Sequence, residues 1–223
     1  MPKYIAKSHC NIINSIEPYI QPAKFDRLSR GKQFFDFFNG RERRVYLIKE
    51  GDFIIRSKNE NKIINIITGP FVIGAMPALE APPIFLEKVD YGKIYSIEYN
   101  QFWSLVNHKG LFTDVMKIMS GYHTDLLNCL QSHYANAEVQ VINTISRWSA
   151  FPCHIKKRFS VLYFLTNSTF LSKSTASRVL KKLRETGAVQ LDKGRLINSG
   201  PFSEGHDRAV NITDAPLPLP TAE

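Results

Sequence analysis

A change of hydrophobic period near residue 100 constrains this chain more than any other feature. From about residue 32 to 100 the apolar residues come in short runs rich in Phe, Val, Ile and Tyr: KQFFDFF, RVYLIK, DFIIRS, KIINII, FVIG and KIYSIEY. Turn signals separate the runs at Asn39-Gly40, Glu50-Gly51-Asp52, Asn59-Glu60-Asn61, Gly69-Pro70 and Tyr91-Gly92. Short strands at that spacing predict a β sandwich or barrel for this part of the chain. After Asn100 the period becomes helical. Leu111, Val115, Ile118, Met119, Tyr122, Leu126, Cys129, Leu130 and His133 share one stripe, in a proline-free stretch over 110–136. At the rise of an α-helix that stretch is roughly 40 Å long. A small β domain does not cover such a length, and a second copy of the same helix supplies the missing partner. The expectation is a homodimer with Leu111, Val115, Ile118, Met119, Tyr122, Leu126 and Cys129 at its interface.

The remaining elements follow from pattern and punctuation. Ile12, Ile13, Ile16, Tyr19 and Ile20 predict a helix over 8–21 that Pro22 ends, with Pro18 awkward inside it. EVQVINTISRWS predicts a short helix over 138–149, and KKRFSVLYFLTN another over Lys156–Asn167. A short link, Ser168–Leu171, leads to a helix from Ser172 to Thr186, capped by Ser172 and stopped by Gly187. The strands AVQL and RLIN flank Asp192-Lys193-Gly194 as a hairpin. The chain thus divides into an N-terminal helix plus β domain (1–109), a long helix (110–136), a compact helical unit with a hairpin (137–200) and a tail (201–223). The tail, rich in proline, is expected to be disordered and is assigned no role.

Charge singles out one block. The net charge is +9, yet residues 151–200 alone hold 10 basic and 2 acidic side chains, while residues 201–223 hold 1 basic and 4 acidic. Such a local excess is the electrostatic footprint of a polyanion partner. The chain has 3 cysteines, which excludes a dense disulfide framework and fits a reducing compartment. No signal-like apolar run opens it, and its longest uncharged stretch in the first half, Ile63–Leu79, is broken by Gly69-Pro70, Gly74 and Pro77. A cytoplasmic protein with no membrane contact is expected. The sequence has no H-E-x-x-H, P-loop, G-x-S-x-G or paired C-x-x-C, so the chain is read as a non-enzyme, with no metal or cofactor assigned. His123, Cys129 and His133 read as residues of a helix face, and Cys153 as a lone thiol beside Pro152.

The chemistry gathers in the basic block. Two helices joined by a tight link and followed by a hairpin make a winged helix-turn-helix. A recognition helix must turn an apolar face to its core and present hydrogen-bonding side chains outward, to base edges in the major groove. Ala176, Val179, Leu180 and Leu183 form the inner face; Lys173, Ser174, Ser177, Arg178 and Lys181 form the outer one. Arg suits guanine O6 and N7, and Lys suits either guanine or phosphate. Ser172 and Thr175, with the free N–H groups of the helix start, suit a phosphate. Lys193 and Arg195 place charge on the wing. Double-stranded DNA is the expected partner.

The segment LSKSTASRVLKKLRETGAVQLDKGRLI resembles the recognition helix and wing of the catabolite-activator/FNR (CRP/FNR) family of bacterial regulators. It is most similar to the YaiV/IprA branch, which is linked to oxidative-stress resistance. The resemblance covers residues 8–200 and is concentrated in 156–197. It implies an α+β fold: an N-terminal β-roll sensor domain of the cyclic-nucleotide-binding type, a long dimerisation helix and a C-terminal winged helix-turn-helix. It also implies a homodimeric transcription regulator that reads an inverted repeat, with RNA polymerase as a candidate partner. Base contacts are implied for Lys173, Ser174 and Arg178. Ser174 stands where the family has an acidic reader, so the preferred DNA sequence should differ. The β region departs further. Where cyclic-nucleotide binders carry Gly-Glu-Leu and Arg-Ser or Arg-Thr, this chain has Gly74-Ala75-Met76 and Ala81-Pro82-Pro83. Both charged partners of the nucleotide are missing, and three scattered cysteines do not hold an FNR-type cluster. Cyclic-nucleotide control is therefore not expected. The competing readings are a small-molecule or haem sensor, or a protein-interaction regulator, with a degenerate helix-turn-helix.

Overall fold

The computed structural model describes residues 3–40, 42–76, 83–133 and 136–199. Helix α1 (Lys3–Ile16) and a 3-10 turn (Glu17–Tyr19) lead into eight strands. These are β1 (Gln21–Pro22), β2 (Arg27–Ser29), β3 (Lys32–Asp36), β4 (Phe38–Asn39), β5 (Glu42–Ser57), β6 (Ile63–Thr68), β7 (Phe71–Ile73) and β8 (Ile84–Glu98). Helices α2 (Tyr99–His108), α3 (Phe112–His133), α4 (Ala137–Ser149), α5 (Cys153–Arg158), α6 (Val161–Ser168) and α7 (Lys173–Glu185) follow. A hairpin of β9 (Val189–Asp192) and β10 (Arg195–Ser199) closes the described chain. The predicted tail lies outside the described residues. The fold is α+β, with an N-terminal antiparallel sheet, as the sequence implied.

Two of the turn signals are not turns. β5 runs unbroken through Glu50-Gly51-Asp52 for 16 residues, and β8 runs through Tyr91-Gly92 for 15. The two strands pair along their lengths with Gly51 opposite Gly92, and the register shifts on both sides of Gly51. Bulges of this kind sharpen bend and twist without ending a strand. The remaining strands attach to this ribbon: β4, β6 and β7 to β5, and β1 and β3 to β8, with β2 beyond β3.

The sheet's interior is filled with its own side chains. Phe35, Phe37, Tyr46, Ile48, Phe53, Phe71, Ile73, Leu86 and Ile94 form one buried cluster. Phe35, Phe37 and Tyr46 meet edge-on, the arrangement aromatic quadrupoles favour. The Tyr46 hydroxyl donates to the Asp36 carbonyl at 2.7 Å, and burial raises its pKa to about 12.

A second cluster lies between the sheet and α1, α2 and α3. Ile5, Ile12, Ile13 and Ile16 of α1 pack with Val115 and Ile118 of α3. Ser8 Oγ donates to Asp114 Oδ1 at 2.7 Å, tying the two helices side by side. Gly121 lets them approach: a Cβ there would stand 2.7 Å from Ile5 Cδ1. α1 also ends earlier than predicted, because Pro18 has no N–H to continue it and Glu17–Tyr19 tightens to a 3-10 turn. His9, wholly buried on α1, stacks on Phe71 with centroids 4.4 Å apart. Its Nδ1 accepts from Val72 N at 2.9 Å, and burial lowers its pKa to about 4.

Candidate nucleic-acid interface

The helix predicted over Lys156–Asn167 is two helices. Phe159 is extended (φ −110, ψ 146), and Ser160 caps α6 by accepting from Tyr163 N at 3.1 Å. A serine that offers its oxygen to a free helical N–H favours a helix start over a helix interior, which overrides the apolar period. The break leaves α5 as a separate basic turn. Within it Lys156 donates to the Ser149 carbonyl and Arg158 pairs with Asp90. Lys157 is exposed and has no acidic partner among the described residues. It joins the candidate interface; the only signal for it in the sequence was the KKR run itself.

Helix α7 is built as expected. Ser172 is its N-cap, its Oγ accepting from Thr175 N at 3.1 Å and lying 2.8 and 2.9 Å from the hydroxyls of Ser174 and Thr175. Three hydroxyls therefore gather where the free N–H groups and the positive end of the helix dipole favour an anion. Ala176, Leu180 and Leu183 are buried inward, with Val179 against them. Lys173, Ser174, Arg178 and Lys181 are exposed, and Thr175 and Ser177 are half-buried. Lys181 lies 3.7 Å from Glu185, and Lys182 is held by Glu138 at 3.0 Å.

The hairpin reverses at Lys193-Gly194, both with positive φ (47° and 77°), as a type I′ turn requires. The Gly194 carbonyl accepts from Val161 N at 2.9 Å, so the turn is fastened to the start of α6. Lys193 and Arg195 are exposed. Among the described residues Lys173, Arg178, Lys193 and Arg195 have no acidic partner. Four uncompensated cations thus share the α7 and hairpin surface. Leu196 turns inward, which leaves Ile197 67% exposed beside Arg195. That apolar side chain was not anticipated, although alternation around Leu196 carries the signal.

The stripe expected at the dimer interface is placed differently. Leu111, Val115 and Ile118 are at most 5% exposed, packed into their own domain. Met119 and Tyr122 are half-buried, and the Tyr122 hydroxyl donates to the Val72 carbonyl. The side chains of Leu126 and Cys129 lie outside the described residues. The sequence showed which residues share a face of α3, but not that α1 covers that face. Phe112 and Met116 are left in solvent, 58% and 46% exposed.

The helical unit is not isolated from the sheet. Arg147 of α4 donates to the Ile64 carbonyl at 2.8 Å, and His154 Nε2 lies 2.8 Å from Asp52 Oδ2. Among the described residues no cluster of His, Cys, Asp or Glu could hold a metal ion, and no helix is long and apolar enough to cross a membrane. The Ala81-Pro82 position, where a nucleotide's phosphate partner would stand, lies outside the described residues, as does the side chain of His133.

No family model matches the chain. Among curated proteins it is 23% identical over 199 residues to the "Inhibitor of hydrogen peroxide resistance" of Escherichia coli K12, an alignment covering 83% of this chain and 96% of that protein. Among solved structures it is similar to the c-di-GMP responsive global regulator CLP of Xanthomonas campestris, with a TM-score of 0.59 at 16% identity, over 86% of this chain and 99% of that one. It is similar to a CooA mutant from Carboxydothermus hydrogenoformans, with a TM-score of 0.59 at 12% identity, over 83% and 88% of the two chains. FixK2 of Bradyrhizobium japonicum gives a TM-score of 0.51 at 12% identity, over 75% of this chain and 93% of that one. The α+β fold of this chain is thus similar to that of these three solved structures.

Proposed function

We propose that the chain is a sequence-specific DNA-binding transcription regulator of the CRP/FNR type, working as a homodimer on an inverted repeat. The carrying observation is the surface of α7 and the β9–β10 hairpin, where Lys173, Arg178, Lys193 and Arg195 stand exposed without acidic partners. Lys173, Ser174, Ser177, Arg178 and Lys181 face base edges, and Ser172 and Thr175 take a phosphate at the helix start. Lys193, Arg195 and Lys157 hold flanking backbone. The fold shared with global regulators supports this reading, and the name of the Escherichia coli relative supports a link to peroxide stress.

The dimer uses α3, one residue round from the predicted stripe. Phe112, Met116, Met119 and His123 are spaced 4, 3 and 4 residues apart, and Leu126, Leu130 and His133 continue the same alternation in the sequence. That is a heptad seam, and its described part is exposed or half-buried. The sensor half works without cyclic nucleotide, RNA polymerase is the protein partner, and the chain is cytoplasmic and catalyses nothing. Selection of operators from random DNA by the purified chain tests this reading: the expected product is one inverted repeat. Recovery of unrelated sequences with no shared half-site overturns it.

A further inference from the structure

The core of the C-terminal helices is completed by the sheet. Ile63 and Ile66 of β6 are buried in the same cluster as Trp148 of α4 and Phe164 of α6. Over that apolar floor lies a charged, directional contact. Arg56 and Glu87 form an ion pair in which both side chains are 4% exposed. Arg56 Nη2 donates across the seam to the Tyr163 hydroxyl of α6 at 3.1 Å. Lys62 Nζ crosses the same seam to the Thr166 carbonyl at 2.8 Å.

We propose that Arg56, Lys62 and Tyr163 are positioning residues for DNA recognition: Arg56 of β5 and Lys62, just before β6, fix α6 on the sheet and so set where α7 stands relative to the dimer helix α3. The inference rests on the DNA-binding reading above. α7 packs on α6, and α3 packs on the sheet, so the seam closes a continuous packed path from one to the other. An inverted repeat demands that path. The two recognition helices must reach major-groove faces roughly 34 Å apart, and a tilt in either half misplaces both. Apolar contacts alone resist separation but tolerate sliding. A buried guanidinium that must find one hydroxyl does not, because a slipped register leaves a buried donor unpaired. The exposed face of α7 is not covered by the sheet, so the seam holds that face outward and does not mask it.

The test uses the full chain and its Tyr163→Phe, Lys62→Met and doubly substituted variants, with an operator selected by the wild type. Tyr163→Phe keeps the ring stacked on Phe159 and removes only the hydroxyl. A conservative core change away from the seam, Ile73→Val on β7, is the control. Three quantities are measured: amide exchange in β6 and α6, affinity for the operator against a single half-site, and tolerance of half-sites re-spaced by one base pair. The double variant is expected to exchange faster in both segments together and to lose at least tenfold in operator affinity. Its half-site affinity should hold, and it should discriminate less against re-spaced operators, while Ile73→Val changes none of the DNA readouts. Unchanged or tighter operator binding by the double variant overturns the proposal. A wild type that prefers no DNA sequence overturns the DNA reading instead, and the positioning role with it.

Discussion

Gly51 and Gly92 face one another across the β5–β8 ribbon, and Gly51 has no room for a side chain. A Cβ on Gly51 would stand 2.2 Å from the Tyr91 carbonyl oxygen, at a φ of +91°. Gly51→Ala therefore meets both a backbone clash and a conformation that L residues disfavour, and should cost about 1–3 kcal/mol. Urea unfolding measures this. A midpoint within error of the wild type would show that the ribbon bends elsewhere.

The two faces of α3 should answer differently to substitution. Ile118→Ala removes a buried side chain, 1% exposed, and is expected to cost about 2–5 kcal/mol of stability with the oligomeric state retained. Met116→Lys, in solvent within the chain, should leave the thermal stability of the monomer unchanged while converting dimer to monomer, by placing a charge at the seam. Sedimentation at micromolar concentration reads the second outcome. A Met116→Lys protein that remains dimeric moves the seam off this face.

On DNA, Arg178→Ala is expected to weaken operator binding by about 1–3 kcal/mol and to relax preference at one base pair per half-site. Lys193→Ala and Arg195→Ala should instead weaken operator and scrambled DNA alike. Each should make the salt dependence shallower by about one unit of slope per subunit. Electrophoretic shifts at two salt concentrations separate these behaviours. Equal losses on both DNAs for Arg178→Ala would reassign it to the phosphate backbone.

His9 gives the fold a pH dependence with a definite sign. Its pKa falls from 6.5 unfolded to about 4 folded, because burial disfavours the imidazolium. Between those values the unfolded chain binds more protons, so His9 favours the fold fully above pH 6.5 and loses that contribution as pH falls toward 4. The linked change is about 3 kcal/mol. Stability measured from pH 7 to 4.5 should drop more steeply in the wild type than in His9→Leu. Parallel curves would assign the acid sensitivity to other groups.

Calorimetry with cyclic AMP and cyclic GMP should detect no micromolar binding. Phe35, Phe37, Tyr46 and Phe71 occupy the interior, and the segments Gly74-Ala75-Met76 and Ala81-Pro82-Pro83 carry no Glu for a ribose and no Arg for a phosphate. Saturable heat at micromolar nucleotide would refute this.

Much of this architecture was legible because periodicity and capping are local. Ser172 and Gly187 bounded α7, and Asp192-Lys193-Gly194 between two short apolar runs placed the hairpin. What escaped depends on partners distant in sequence. Gly51 reads as a turn until Gly92 is seen opposite it. Val115 and Ile118 read as dimer contacts until α1, about 100 residues earlier, is seen to cover them. Phe159-Ser160 is the intermediate case: its cap was readable, but the apolar run around it argued for continuity.

The isoleucines of β6 that complete the core beneath α4 and α6 make this chain a poor kit of parts. Grafting α4–α7 onto another protein would uncover Trp148 and Phe164 unless the new sheet brought matching side chains. Divergence in its descendants is thereby channelled. Lys173 and Arg178 on the outer face of α7 have no acidic partner among the described residues and are free to vary, whereas β6 and α6 can change only in step with each other.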